Sequence, residues 1–226
     1  YLQYLKPDGT LAAELPPAVA NAEALLPLFK RMLFVRTFDS KAIALQRTGK
    51  LGTYAACLGH EATHVGIGAS MQPEDVFAPS YREYGAQFER GVKPRDVLMY
   101  WGGDERGNDF EIPRNDYPWC VPISTQCLMA SGAALAFKLR GENRVAVATC
   151  GDGGSSKTDF YAAVNSAGAY KLPLVLCVIN NGWAISVPRK AQTGAQTLAQ
   201  KGLAGGLHCL QVDGNDLVAV LEAMRR

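Results

Sequence analysis

Asp152 and Asn181 each stand just past the end of an apolar run. The first run, Val-Ala-Val-Ala-Thr-Cys at 145–150, leads into Gly151-Asp152-Gly153-Gly154; the second, Leu174 to Ile179, leads into Asn180-Asn181-Gly182. Apolar runs this short predict buried strands. Between them, glycines at 151, 153 and 154 predict a tight turn through backbone angles that other residues avoid. Ser155 and Ser156 are expected to cap a helix patterned on Tyr161, Val164 and Ala167. Lys171-Leu172-Pro173 should end it. The whole reads as one βαβ unit, whose right-handed crossover puts both strand ends at one edge of a parallel sheet. Asp152 and Asn181, 29 positions apart, then converge. A carboxylate plus an amide oxygen is a hard, sparse oxygen set, suited to a magnesium ion that keeps room for phosphate oxygens and water. The glycines would let backbone N–H groups approach a diphosphate, and a helix N-terminus favours its charge. The chemistry predicted is a Mg–diphosphate site; the plain alternative is an ordinary βαβ turn with a capping Asp.

Such a site needs an α/β fold: a mainly parallel sheet with helices on both faces and the ligand beyond the carboxyl ends of the strands. Residues 1–20 read as an N-terminal arm and 21–226 as the binding domain. Helical periodicity runs through 21–48 (Leu25, Leu28, Phe29, Met32, Leu33, Val35, Phe38), with Gly49 as its stop. Asp75–Ala78 predicts a short strand, 102–122 a long loop, 127–139 a helix and Leu207–Val212 a further strand, with 216–226 helical. The chain starts without Met and stops inside that last pattern, so it is expected to be truncated at the C-terminus.

Composition narrows the field. An apolar fraction of 48% fits a globular core, and a net charge of +2 argues against a nucleic-acid binder. No apolar run is long enough to cross a membrane, and no secretory signal is visible. The six cysteines include no C-x-x-C and read as reduced, which points to a bacterial cytoplasm or, second, a mitochondrial matrix. His60-Glu61-Ala62-Thr63-His64 matches the H-E-x-x-H pattern, in which two histidines share a helix face on zinc and the glutamate is a base. Glu83 or Glu89 would be a third ligand.

GDG, 26 residues, then NN resembles the thiamine-diphosphate motif, and GDGGSSKTDFYAAVNSAGAYKLP…NNGWAIS resembles the alpha subunit of the first component of 2-oxo-acid dehydrogenase complexes. The likeness covers nearly the whole chain. GHEATHVG is similar to that family's segment before its first cofactor contact, which outweighs the zinc reading. The resemblance implies thiamine diphosphate and Mg as cofactors. It implies Asp152, Asn181 and the Trp183 carbonyl as Mg ligands, Gly151, Gly153 and Gly154 as the diphosphate turn, and Tyr81 and Arg82 as a phosphate clamp. Ile123 would support the cofactor between its rings, and Thr125 and Gln126 match positions that hold potassium in some members. The implied reaction is decarboxylation of a 2-oxo acid with acyl transfer to a lipoyl group. The implied partners are a beta subunit in a heterotetramer and a lipoyl-bearing acyltransferase; neither nucleic acid nor membrane is implied. Gly49-Lys50-Leu51-Gly52 and GDGGSSKTDFY are closer to pyruvate members than to branched-chain members. The family's catalytic histidine and phosphorylated serines fall beyond Arg226, and its acid comes from the beta subunit. The chain departs from the pattern at Ile179 and at Trp183, where Tyr is usual. A non-catalytic fragment that only binds partner subunits is the alternative of another class.

Overall fold

The computed structural model describes residues 1–17, 19 and 21–226; Ala18 and Ala20 of the expected arm lie outside the described residues. In chain order the elements are α1 (Ala22–Arg47), α2 (Glu61–Ser70), β1 (Val76–Ala78), α3 (Tyr84–Glu89), α4 (Pro94–Trp101), α5 (Thr125–Arg140), β2 (Ala146–Gly151), α6 (Thr158–Tyr170), β3 (Leu174–Ile179), β4 (Trp183–Ala184), β5 (Val187–Pro188), α7 (Ala199–Leu203) and α8 (Leu217–Arg225). They form two compact units. One comprises Tyr1–Pro73, Arg82–Arg114 and Val212–Arg226, the other Glu74–Tyr81 and Asn115–Gln211.

The first unit is helical. Small residues let its helices approach closely: a Cβ on Gly66 of α2 would lie 2.6 Å from Val220 of α8, and one on Gly85 of α3 would lie 2.8 Å from His64. Buried Asp216 ties the unit together. Its Oδ1 accepts from the Val218 and Ala219 N–H groups, capping α8, and its Oδ2 accepts from Tyr4 N at 2.6 Å and Leu5 N at 2.7 Å. α1 leaves Leu26, Phe29, Leu33 and Phe34 exposed, so its apolar stripe is wider than the surface it buries in this chain.

The second unit carries the α/β class and the parallel sheet expected. β1, β2 and β3 pair in parallel in that order. The chain crosses the sheet in one direction, so successive crossovers of one hand put their helices on one face. Consistent with this, Cys127, Ala130, Ala134 and Phe137 of α5 and Phe160, Ala163 and Val164 of α6 share a core with Val76, Ala78, Ala146, Ala148 and Cys150. Phe77, Val147 and Thr149 on the opposite face are equally buried. The outer edge of β1 is covered: Tyr117 N donates to Phe77 O, and the Asp116 carboxylate accepts from Phe77 N.

Three expectations need correction here. β3 is only partly buried along its whole length, because it ends the strand order. Leu207–Val212 forms no strand; Val212 makes a single bridge to Leu2. Tyr161 lies on the solvent side of α6, and Phe160 takes its place in the core.

α6 meets the chain after α7 backbone to backbone. A Cβ on Gly168 would fall 1.7 Å from Gly205 O, and one on Gly205 would fall 2.5 Å from Val164 Cγ1. Gly168→Ala therefore forces backbone to move, at about 1–3 kcal/mol. In a domain of this size a midpoint loss of roughly 2–10 °C is expected in thermal unfolding; an unchanged midpoint would mean that this contact is loose.

Candidate functional site

The site is built where β2 and β3 end. Their register pairs Gly151 with Ile179, and Asp152 N donates to Ile179 O at 3.1 Å. Asp152 thus lies one residue past the last aligned pair and Asn181 two residues past it, at the same sheet edge. Asp152 is 2% exposed, and its Oδ1 is buried without a hydrogen-bond partner. A carboxylate oxygen buried bare costs free energy unless a positive charge meets it. Asn180 and Asn181 turn the chain by accepting, through their Oδ1 atoms, from Gly182 N and Trp183 N. Past them β4 and β5 pair antiparallel as a small hairpin.

None of the three glycines has a positive φ, so the turn does not use the backbone angles expected of them. Gly153 and Gly154 are needed for closeness. A Cβ on Gly153 would meet Ala184 Cβ at 2.4 Å, so the hairpin after Asn181 rests directly on the turn. One on Gly154 would meet Ser124 Oγ at 2.6 Å and Ile123 Cγ2 at 3.5 Å. At Gly151 a Cβ would meet nothing within 4 Å, which is open space beside the turn. Ser155 and Ser156 do not cap α6: Gly154–Ser156 form one 3-10 turn, and the N-cap position passes to Lys157, without a side-chain cap bond. The serine hydroxyls are engaged elsewhere; that of Ser155 donates to Asp152 O at 2.6 Å.

Ile123 is 43% exposed beside the turn, an apolar side chain kept at the surface. Ser124 follows in the left-handed region (φ 64) as the N-cap residue of α5, and its buried hydroxyl donates to Gly154 O at 2.7 Å. Thr125 Oγ1 donates to Asp159, and Gln126 Nε2 to Thr149 O at 2.6 Å. Gln192 reaches in from beyond the hairpin, with Nε2 at 3.1 Å from Val187 O and 3.5 Å from Asp152 Oδ2. Trp183 is largely exposed. The structure thus brings Gly151, Asp152, Gly153, Gly154, Ile123 and the Asn181–Trp183 segment together in the second unit. Tyr81 is the last residue of that unit's first segment, and Arg82 belongs to the other unit, where its guanidinium donates to Ala56 O.

Sequence reasoning missed Ser124, Gln192 and Lys201, whose Nζ donates to Ser155 and Ser156. No local pattern marks them, since each acts through a turn distant in the chain. The one available signal was the serine pair after GDGG, two hydroxyls that need partners.

The H-E-x-x-H segment does not assemble as a metal centre. Glu61 opens α2 and accepts from Arg36 Nε at 2.9 Å and from Gly59 N at 3.1 Å, and those bonds hold its carboxyl below the usual range against the opposing effect of burial. Among the described residues no group of three or more His, Cys, Asp or Glu is placed to hold a metal. His60 and His64 stack edge to face, 5.2 Å between centroids, and both nitrogens of fully buried His64 lack a hydrogen-bond partner. Burial pushes the His64 pKa well below its ordinary value, with His60 and Arg82 adding to the effect.

Residues 29–226 match the family described as dehydrogenase E1 component, and the chain belongs to that family. It is similar to the protein named pyruvate dehydrogenase E1 component subunit alpha from Acholeplasma laidlawii: 40% identical over 203 residues, covering 90% of this chain and 59% of the relative. The proteins of the same name from Staphylococcus aureus (strain Mu50) and Staphylococcus epidermidis (strain RP62A) are each 39% identical, over 99% and 98% of this chain and 60% of their own length. The chain thus spans about three-fifths of these relatives.

A pH dependence of folding follows from His64. The unfolded imidazole gains its proton near pH 6.5, the folded one only at lower pH, so the unfolded state binds more protons as pH falls. Stability is fully present above about pH 6.5 and declines below it, at up to about 1.4 kcal/mol per pH unit for one histidine. Urea titrations from pH 7.5 to 5 should show this fall, and His64→Leu should flatten it; a slope unchanged by the substitution would show that His64 binds its proton equally in the folded and unfolded states.

Proposed function

We propose that this chain is the alpha subunit of a 2-oxo-acid dehydrogenase first component. It binds thiamine diphosphate through Mg at Asp152 and decarboxylates pyruvate, passing the acyl group to a lipoyl arm. The observation that carries the reading is the bare, buried Asp152 Oδ1 at the strand edge shared with Asn181. The donor set fits the ion: a carboxylate oxygen with no other partner, and next to it an amide side chain and a backbone carbonyl on an exposed segment. Asp152, the Asn181 side chain and the Trp183 carbonyl are assigned to Mg. Gly151, with open space at its Cα, and the turn through Gly153 and Gly154 are assigned to the diphosphate, with Tyr81 and Arg82 as its clamp, since a guanidinium offers paired donors to phosphate. Exposed Ile123 is assigned to the apolar support of the cofactor.

The cofactor, when bound, supplies the carbanion and electron sink that decarboxylation needs. This chain's part is to bind and orient it. The proton-moving groups are assigned to a histidine outside residues 1–226 and to a carboxylate of a beta subunit. The exposed apolar stripe of α1 supports an obligate protein partner, as do the relatives' names, which call them subunits. Pyruvate is preferred to a branched-chain acid because the relatives carry pyruvate in their names. Six free cysteines support a reducing compartment, which we take to be a cytoplasm. Among the described residues no helix is long and apolar enough to cross a membrane.

Calorimetric titration of the complete chain, assembled with its partner subunit, should show Mg-dependent binding of thiamine diphosphate. Asp152→Ala should weaken it at least about 100-fold, since even the groups that orient a metal ligand are worth 10- to 100-fold. Binding indifferent to Asp152→Ala would return the region to a plain βαβ turn.

A further inference from the structure

Lys201 sits on α7 with 5% of its surface exposed. An ammonium taken out of water costs several kcal/mol unless its hydrogens are all accepted. All three are accepted here: by Ser155 O at 2.9 Å, Ser155 Oγ at 2.9 Å and Ser156 Oγ at 3.2 Å. The three acceptors are neutral, and the Tyr161 ring lies 5.6 Å from the charge. Burial lowers the Lys201 pKa, Cys150 and Asp152 oppose that shift, and Arg189 adds to it. A cation has thus been placed beneath the turn that follows Asp152, without an ion-pair partner among these contacts.

Hydrogen-bond chemistry gives that placement a consequence. An ammonium only donates, so Ser155 Oγ must accept from it. The hydroxyl then has a single hydrogen left, and the acceptor in reach is Asp152 O at 2.6 Å, which also takes Ser155 N–H at 3.2 Å. The lysine therefore sets the hydroxyl rotor and strengthens the bond it makes. The carbonyl so held belongs to Asp152, whose Oδ1 is bare at the sheet edge. α7 is itself held close by the Gly205–Val164 contact with α6, so the lysine stands on a fixed support.

We propose that Lys201 is a positioning residue of the Mg–diphosphate site. Through Ser155 it fixes the backbone at Asp152 and so the aim of that carboxylate, and it keeps a positive charge beneath a turn that receives a polyanion. The proposal rests on the reading of this site as one for thiamine diphosphate and Mg.

The test uses the complete chain assembled with its partner subunit, titrated calorimetrically with thiamine diphosphate in Mg. Thermal midpoints are taken on the cofactor-free proteins. Lys201→Met should raise the Kd at least about tenfold, the low end for groups that orient a metal ligand. Lys201→Arg should restore part of the affinity. Ser155→Ala should show a similar loss, and the double variant should be no worse than the weaker-binding single one, because both changes break one chain of bonds. Should Lys201→Met fail to fold, Ser155→Ala and Lys201→Arg carry the same comparison. Wild-type affinity in the folded variants overturns the role of Lys201, as does a loss of midpoint with Kd unchanged. If wild type binds and Asp152→Ala does not, the site itself stands even when Lys201 proves indifferent; if wild type shows no binding, the reading of the site falls first.

Discussion

The register between β2 and β3 is the constraint on which the site depends. Parallel pairing of Gly151 with Ile179 puts a carboxylate from one strand end and an amide from the other at one edge. A slip of one residue would turn each side chain to the other face of the sheet. The slip is resisted by the buried alternation in β2, where Ala146, Ala148 and Cys150 face α5 and α6 while Val147 and Thr149 face away. Thr149 is pinned further: its carbonyl accepts from Gln126 and its hydroxyl from Ser80 N. The position of the chemistry is thus set by core packing some residues before it.

Around that edge, backbone closeness does the shaping. Gly153 admits the hairpin, Gly154 admits Ser124, and Gly168 with Gly205 admits the chain that carries Lys201. Each contact replaces a side chain with backbone, and each would be lost to a single methyl group. The turn is consequently held from three directions: by Ser124 through Gly154 O, by Gln192 near Asp152 Oδ2, and by Lys201 through Ser155. The Asp152 oxygen that none of them satisfies is the one proposed to take the ion.

The βαβ unit was legible because its signals are local: apolar runs, punctuating glycines, and a polar residue just past each run. The C-terminal ends of α1 and α6 were legible for the same reason. Non-local effects were not. Ser155 and Ser156 read as helix caps, since capping is the commonest local use of serine there, but a lysine 45 or more residues away claims them. The glycines read as conformational, because a sequence reveals that a Cβ is missing and not what would have struck it. Leu207–Val212 has the composition of a strand, yet pairing requires a neighbouring edge, and its one bridge goes to the chain's first residues. His60 and His64 have the spacing of metal ligands; what the spacing does not reveal is that α3 closes over His64 at Gly85.

The Asp216 clamp bears on how the polypeptide acquires its shape as it is made. The first unit is assembled from three separated stretches, and the side chain that joins its first stretch, at Tyr4 and Leu5, to its third, at Val218 and Ala219, follows the whole sheet in the sequence. Every residue of the sheet has emerged before it. Vectorial synthesis therefore completes the parallel sheet and its turn first. The helical unit, with α2 awaiting α8, stays open until α8 has emerged, and during that interval its apolar helix faces are what a chaperone would meet.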